Sequence, residues 1–408
     1  MDSMLYAFAL PSIAREFQLG GAAAGGLASI TLLSSAVGGV LFGWLADRIG
    51  RARALTWSIA VYSLCTAGAA TAGSLQTFVV WRLLLGLGLG GEWAAGAVLV
   101  AESVPSERRG QALGWVQAGW AVGYALAALL STWILPRWGF RALFWVGASP
   151  ALLALWVRWR IAEPPAWQAT QQARADERQA RQTRPDPRQA EHARPEHRQA
   201  GQGRASGLRA LLVPPLRSRA ILAALLSTLL MFAYWGLFTW IPSYLAAPPS
   251  RGGAGLSAVR ALSFLLPMQA GAFAGYVSFG VLADRFGRRP VFAAYVLAAA
   301  LAVPVFIAVA GQPWALVVVA PVLGFAGHGY FSVFGALLAE LFPATIRGSA
   351  QGFCYNIGRA ASAVAPLTVG ALADGWGLGA TLSLLALLYG AAAALIWALP
   401  ETRGHALS

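Results

Sequence analysis

Gly43-Trp44-Leu45-Ala46-Asp47-Arg48-Ile49-Gly50-Arg51 returns as Gly280-Val281-Leu282-Ala283-Asp284-Arg285-Phe286-Gly287-Arg288, 237 residues further along the chain. Each copy closes a long apolar run. Self-similarity at half-chain spacing dictates architecture before any local reading does. A second pair extends it. Ala101-Glu102 with Pro105, Arg109, Gly110 and Gly114 matches Ala339-Glu340 with Pro343, Arg347, Gly348 and Gly352 at an offset of 238, and Glu163 and Glu401 share that offset. One indel between the motifs reconciles the two spacings. The chain is therefore two related halves.

Composition says what kind of halves. The 408 residues are 58% hydrophobic and 11% charged, where a soluble domain carries about 25% charged residues. That excludes a soluble globular class. In lipid only helices and closed barrels satisfy their own backbone. Apolar runs of roughly 20 residues without strand alternation select helices. The runs fall at about 3–14, 25–46, 54–73, 77–101, 110–134 and 140–161, then 219–246, 262–283, 291–311, 313–339, 349–372 and 378–399. The first is shorter than a crossing requires, and no basic leader or cleavage site marks it as a signal peptide. The expectation is a first helix of which this chain carries only the second part. The expected division is a bundle at 1–162, a linker at 163–218, a second bundle at 219–400 and a tail at 401–408.

The formal charge is +14, and the 30 basic residues are all Arg. On this topology most of them fall on the side of the two repeated motifs, which the positive-inside rule makes cytoplasmic. The basic balance thus sets orientation and lipid contact rather than nucleic-acid binding. Residues 174–204 form an Arg/Gln/Ala/Pro-rich tract too polar to fold alone, expected as a solvated tether. Cys65 and Cys354 lie inside apolar runs and read as packing residues. Gly86, Gly88 and Gly90 sit within an apolar helix with no strand before them, so they signal close helix packing, not a nucleotide loop. No metal-ligand cluster and no nucleophile–base pair is visible, and neither a metal nor a cofactor is expected.

These motifs resemble those of the major facilitator superfamily. The G-x-x-x-D-R-x-G-R repeats look like its signature, and Arg82 with Gly86, Gly88 and Gly90 is similar to its second motif. Pro400-Glu401-Thr402-Arg403-Gly404, with Glu163-Pro164-Pro165-Ala166-Trp167 at the mid-chain equivalent, is similar to sugar-porter-like branches. Gly90-Gly91-Glu92-Trp93, with Val100-Ala101-Glu102 and Pro105 following, resembles the proton-coupled organic-acid branch that includes sialate and monocarboxylate symporters. Tyr355-Asn356-Ile357-Gly358-Arg359 does so too. Asp2-Ser3-Met4-Leu5-Tyr6-Ala7 resembles the second half of a first helix that in such proteins carries an Asp-x-x-Asp pair. The resemblance implies an all-α membrane protein of two pseudo-symmetric six-helix bundles, twelve transmembrane helices in all with the first truncated. It further implies a monomeric, non-enzymatic transporter of the cell (inner) membrane, working by alternating access on a small organic anion and protons.

The site candidates follow from the chemistry of each residue. Gly43 lets a neighbouring helix approach. Asp47 suits the positive end of a helix dipole. Arg48 and Arg51 offer bonds to carboxylates or lipid headgroups. By resemblance this set latches the cytoplasmic ends of the halves, with Gly280, Asp284, Arg285 and Arg288 as its counterpart. The competing reading is a positive-inside turn without a gating role. Charges within spans are costly and point to function. Arg359 lies about 15 Å into its span, and its planar fork suits a carboxylate, or else a structural ion pair. Glu92 and Asp2 compete as the proton carrier, since burial favours the protonated carboxyl. Arg82 joins them as a relay or a structural residue, and His328, at the position equivalent to Gly90, as a proton group or a packing residue. Gln117, Gln269, Tyr355 and Asn356 are candidates to bond substrate or to link helices. The expected function is proton symport of a small organic acid. Sugar or metabolite uptake, drug efflux, a non-transporting sensor and an inactive truncated relic remain open at this point.

Overall fold

The computed structural model describes residues 2–103, 109–152, 216–342 and 347–402, with a few positions between 156 and 172. Nearly all of the 163–218 linker and the tail beyond Thr402 lie outside the described residues, as do the side chains of Asp2, Asp47 and Glu102.

Among the described residues every regular element is helical. The first half contains α1 (Asp2–Glu16), α2 (Gly21–Ile49), α3 (Arg51–Ala70), α4 (Leu75–Ser103) and α5 (Arg109–Gly147). The second contains α6 (Leu216–Ala246), α7 (Ala258–Phe286), α8 (Arg288–Ala308), α9 (Pro313–Gly329), α10 (Phe331–Glu340), α11 (Arg347–Ser362), α12 (Ala365–Trp376) and α13 (Leu378–Leu395). Among the described residues six stretches are long and apolar enough to cross a membrane, at Gly21–Ala46, Gly114–Leu152, Leu216–Ala246, Val259–Phe286, Arg288–Ala308 and Leu378–Ala398. Leu64, Val281, Leu387 and Trp314 are 67–74% exposed. An apolar exterior of this kind is a lipid-facing surface.

Two spans differ in form from the sequence reading. Those expected at 313–339 and 349–372 are each two helices, α9 with α10 and α11 with α12. The second break has a plain cause: Pro366 stands in the first turn of α12, where a missing N–H costs nothing, but it cannot continue α11. The spans expected at 110–134 and 140–161 follow one another within α5 as two helices separated at Gly139, whose non-helical φ of 71° only glycine adopts readily.

Between helices in lipid there is no hydrophobic drive to associate, so close backbone approach through small residues does the work. In the first half a Cβ on Gly86 would strike Thr31 and Ser34 of α2, one on Gly90 would strike Ser35 of α2, and one on Gly88 would lie 2.7 Å from the Tyr62 amide of α3. The packing role expected of these glycines is the one they have.

The halves meet in a symmetric pattern, α2 against α12 and α5 against α7, with α1 beside α6 between them. The α2–α12 contact lies at the end of α2 away from the signature motif, hence at the periplasmic end. There Gly25 faces the Pro366 carbonyl and Gly370 faces the Gly21 carbonyl, each without room for a Cβ. The Gly21 and Ala22 amides donate to the Asp374 carboxylate at 3.0 and 3.3 Å. The Leu367 amide donates to the Ser29 hydroxyl at 3.2 Å. A carboxylate of one half thus caps a helix of the other.

Gly25→Val should hold this end apart, because the clash is with backbone. A cysteine at Thr31, in a background lacking Cys65 and Cys354, would then react faster with an impermeant maleimide added from outside. Asp374→Asn should raise the same rate by about fivefold at most, since a charge at a helix N-terminus is worth about 0.3–1 kcal/mol.

Candidate functional site

Beneath the closed end lies a cleft between the halves. Tyr6, Ala28, Thr31, Leu32, Arg82 and Leu89 line it from the first half, and Trp235 and Thr239 from the second. Arg82 is 2% exposed, and its guanidinium stacks 4.1 Å from the centre of the Tyr6 ring. The Tyr6 hydroxyl donates to the Ala24 carbonyl at 2.8 Å, which fixes the ring as a platform. A cation held against an aromatic face inside a membrane bundle is a ready anion partner.

Trp235 connects this cleft to a nest of aromatic and polar side chains. It meets Trp120 edge-on at 6.1 Å across the halves and Tyr234 at 5.5 Å. Tyr234 meets His328 at 5.3 Å and Phe331 at 4.9 Å, and Tyr276 lies 6.1 Å from His328. Gln117 lies beside Tyr276 across the α5–α7 contact. Several buried polar atoms here have no hydrogen-bond partner among the described residues: Gln117 Oε1, Tyr124 OH, His328 Nε2 and both amide ends of Gln269. Buried polar groups are ordinarily paired, and a cluster of exceptions marks a place built to receive something polar.

Arg359 stands four residues after Tyr355, its charge close to that ring's hydroxyl, in the last turn of α11 before the helix breaks. Asn356 turns its amide to its own helix, donating to the Gly352 carbonyl at 2.9 Å. Glu92 is half-buried within α4. Asp2 lies in α1, but its side chain is outside the described residues. Two cations, Arg82 and Arg359, and the Gln117, Gln269 and His328 set are thus held inside the bundle, while Asn356 spends its donor on its own backbone.

The signature motifs are helix ends rather than loops. α2 runs to Ile49 and α7 to Phe286, and each turn is one glycine, Gly50 at φ 112° and Gly287 at φ 101°. Among the described residues nothing lies within 4 Å of a Cβ on Gly43, so no helix uses that approach in this conformation. Gly280 lies within α7. Asp284 is 70% exposed and accepts from Arg288 of its own helix at 2.7 Å. Arg288 also reaches Glu340 at 3.3 Å. Arg48 lies 3.9 Å over Trp44 and Arg285 5.3 Å from Phe286, both exposed at the surface. Arg51 donates to the Ala46 carbonyl at 2.9 Å.

The carboxylates at the helix N-termini are others. Glu401 accepts from the Arg288 and Arg289 amides at 2.9 and 3.0 Å, capping α8. Glu163 accepts from the Ala52 and Arg53 amides at 3.1 Å each, capping α3. The shared 238-residue offset of these two was the available signal. It showed that they are equivalent without showing what they hold.

Glu401→Ala should lower thermal stability in detergent by about 1–2 kcal/mol, the cost of losing a helix cap. Asp284→Ala, removing only an exposed pair, should stay within about 0.5 kcal/mol.

Known proteins agree with this architecture. The Major Facilitator Superfamily model matches residues 1–278 and 250–407. A cis,cis-muconate transport protein of Acinetobacter baylyi is 33% identical over 93% of this chain and 85% of its own length. A gentisate transporter of Corynebacterium glutamicum is 27% identical over 97% of this chain and 82% of its own. The crystal structure of a D-xylose–proton symporter superposes with a TM-score of 0.74 at 20% identity, covering 100% of this chain and 96% of that one. The chain belongs to the major facilitator superfamily and is an integral, multi-pass transporter of the cell membrane with two pseudo-symmetric helical bundles.

Proposed function

We propose that this transporter carries a small organic acid, bound as its carboxylate anion, together with protons, by alternating access between its two bundles. The observation that carries the reading is Arg359, a cation kept in the interior of the membrane bundle beside Tyr355. An uncompensated charge is expensive there, and an anionic cargo offsets that cost at each turnover. Muconate and gentisate, the cargoes named for two relatives, are carboxylic acids. Arg82 on its Tyr6 platform is a second cation on the route. The chemistry on offer is recognition: a guanidinium fork pairs a carboxylate through two parallel bonds, and aromatic faces suit a flat carbon skeleton.

Proton coupling rests on carboxyls within spans. Glu92, half-buried in α4, is the leading carrier and Asp2 in α1 the other. A carboxyl facing one side of the membrane at a time binds a proton outside and releases it inside. The motion is rocking of bundle 1–162 against bundle 219–400, joined by the 163–218 linker. The α2–α12 contact opens as the signature ends of α2 and α7 approach the opposite half. Arg48 and Arg285 meet lipid headgroups throughout, and one chain suffices for the cycle.

The test is uptake of a labelled carboxylic acid into proteoliposomes with an inside-alkaline pH gradient. Uptake should collapse with a protonophore. Arg359→Ala should cut it about 100-fold or more, the loss expected for a charged bidentate contact. Glu92→Gln should abolish gradient-driven uptake and leave acid counterflow. Uptake indifferent to the gradient, or unaltered by Arg359→Ala, would overturn the reading.

A further inference from the structure

His328 is fully buried, and the bonds it makes decide which of its nitrogens can do what. Nδ1 lies 3.2 Å from the Gly324 carbonyl, one turn back on α9. A carbonyl oxygen only accepts, so Nδ1 carries the hydrogen. In a neutral imidazole the other nitrogen is then a bare acceptor. That nitrogen, Nε2, has no partner among the described residues. The rings around it are Phe238 at 4.1 Å, Tyr234 at 5.3 Å and Tyr276 at 6.1 Å. The hydroxyls of Tyr234 and Tyr276 are engaged with Trp120, Gln117 and each other, so an aromatic nest that leaves this one acceptor unmet is complementary to a flat ligand bearing a hydroxyl.

Gln269, on the helix packed against α9, is a second unmet group. It is 3% exposed, and neither end of its amide has a partner among the described residues. It belongs to the turn of α7 that packs on α9 at Gly324, where the Met268 carbonyl and the Ala272 amide close on that glycine. His328 stands one helical turn, about 5.4 Å, further along α9. A hydroxyl needs one acceptor for its hydrogen and one donor for its oxygen, and an imidazole Nε2 with a carboxamide provides both. Trp235 links this place to the cleft through its contact with Tyr234.

We propose that His328, with Gln269, is a second recognition point that selects acids carrying a hydroxyl group over the same acids without one. His328 serves in this role as a fixed hydrogen-bond acceptor. The inference rests on the organic-acid reading above and adds to it the second functional group of the cargo. A site built to bond a hydroxyl discriminates strongly against the analogue lacking it, because its own buried groups are then left unpaired.

Binding to the purified full chain of benzoate and of its 2-, 3- and 4-hydroxy forms, followed by the shift in thermal midpoint, tests this. At least one hydroxybenzoate should bind about tenfold or more tightly than benzoate. His328→Phe, which keeps the aromatic volume, should erase that preference while benzoate still binds. Gln269→Leu should reduce it, and His328→Gln, which restores an acceptor, should recover part of it. Equal affinities in the wild type, or a preference that survives both His328→Phe and Gln269→Leu, would overturn the proposal while leaving acid transport standing. Failure of every acid to bind the wild type would overturn the organic-acid reading and this inference with it.

Discussion

Helices in lipid gain nothing by hiding apolar surface from one another, so this bundle depends on backbone brought close to backbone. The same device appears three times. In the first half, Gly38 of α2 faces the Leu87 carbonyl of α4, and Gly86 of α4 faces Thr31 and Ser34 of α2. In the second half, Gly275 of α7 faces the Phe325 carbonyl of α9, and Gly324 of α9 faces the Met268 carbonyl of α7. Gly38 and Gly275 are separated by the offset of the signature motif, and Gly86 and Gly324 by that of the second one. Between the halves, Gly25 and Gly370 repeat the arrangement at the α2–α12 contact. The first two pairs are fixed within their bundles. The third is held by the same kind of contact plus the few hydrogen bonds of Asp374 and Ser29, which suits a surface that must separate and re-form.

The symmetry fails at particular positions. Gly90 packs on the Ser35 carbonyl in the first half, and its counterpart in the second is His328. Replacing a packing glycine by an imidazole gives up close approach at that point and puts a polar ring into the interior. The periplasmic contacts diverge too. Asp374 caps α2, whereas the equivalent position in α5 is Pro136, which has no charge to offer α7. The two interfaces between bundles are alike in geometry and unlike in chemistry, so they need not open with equal ease.

The architecture was legible because its causes are written locally. Duplication, run length and the arginine bias sufficed for two bundles of membrane helices. Gly86, Gly88 and Gly90 were legible for the same reason: small residues inside an apolar run have few other uses. The breaks in α9–α10 and α11–α12 were missed because hydropathy does not change there, although Pro366 was a mark of the second. The site was legible only as residue types. That Arg82 would stack on Tyr6 depends on the approach of α4 to α1, which no periodicity encodes. Which way the amide of Asn356 would turn depends on competition from its own helix, a local choice that a polar residue at helical spacing leaves open.

The signature motifs show the same limit and what lies behind it. Asp284 accepts from Arg288 of its own helix end. Each motif is a helix end followed by a single-glycine turn, at Gly50 and Gly287. The exposed N–H groups of α3 and α8 are instead closed by Glu163 and Glu401, from chain that follows the last helix of each half. Those two carboxylates tie the end of each half to its third helix start. Each bundle is thereby fastened at its signature end, and the connection leaves Arg48 and Arg285 outside, over Trp44 and Phe286. The repeated nonapeptide therefore has two physical consequences, a tight turn that presents amides to a distant carboxylate and an exposed basic rim. The glycine–arginine junction serves the first and the outward arginine the second.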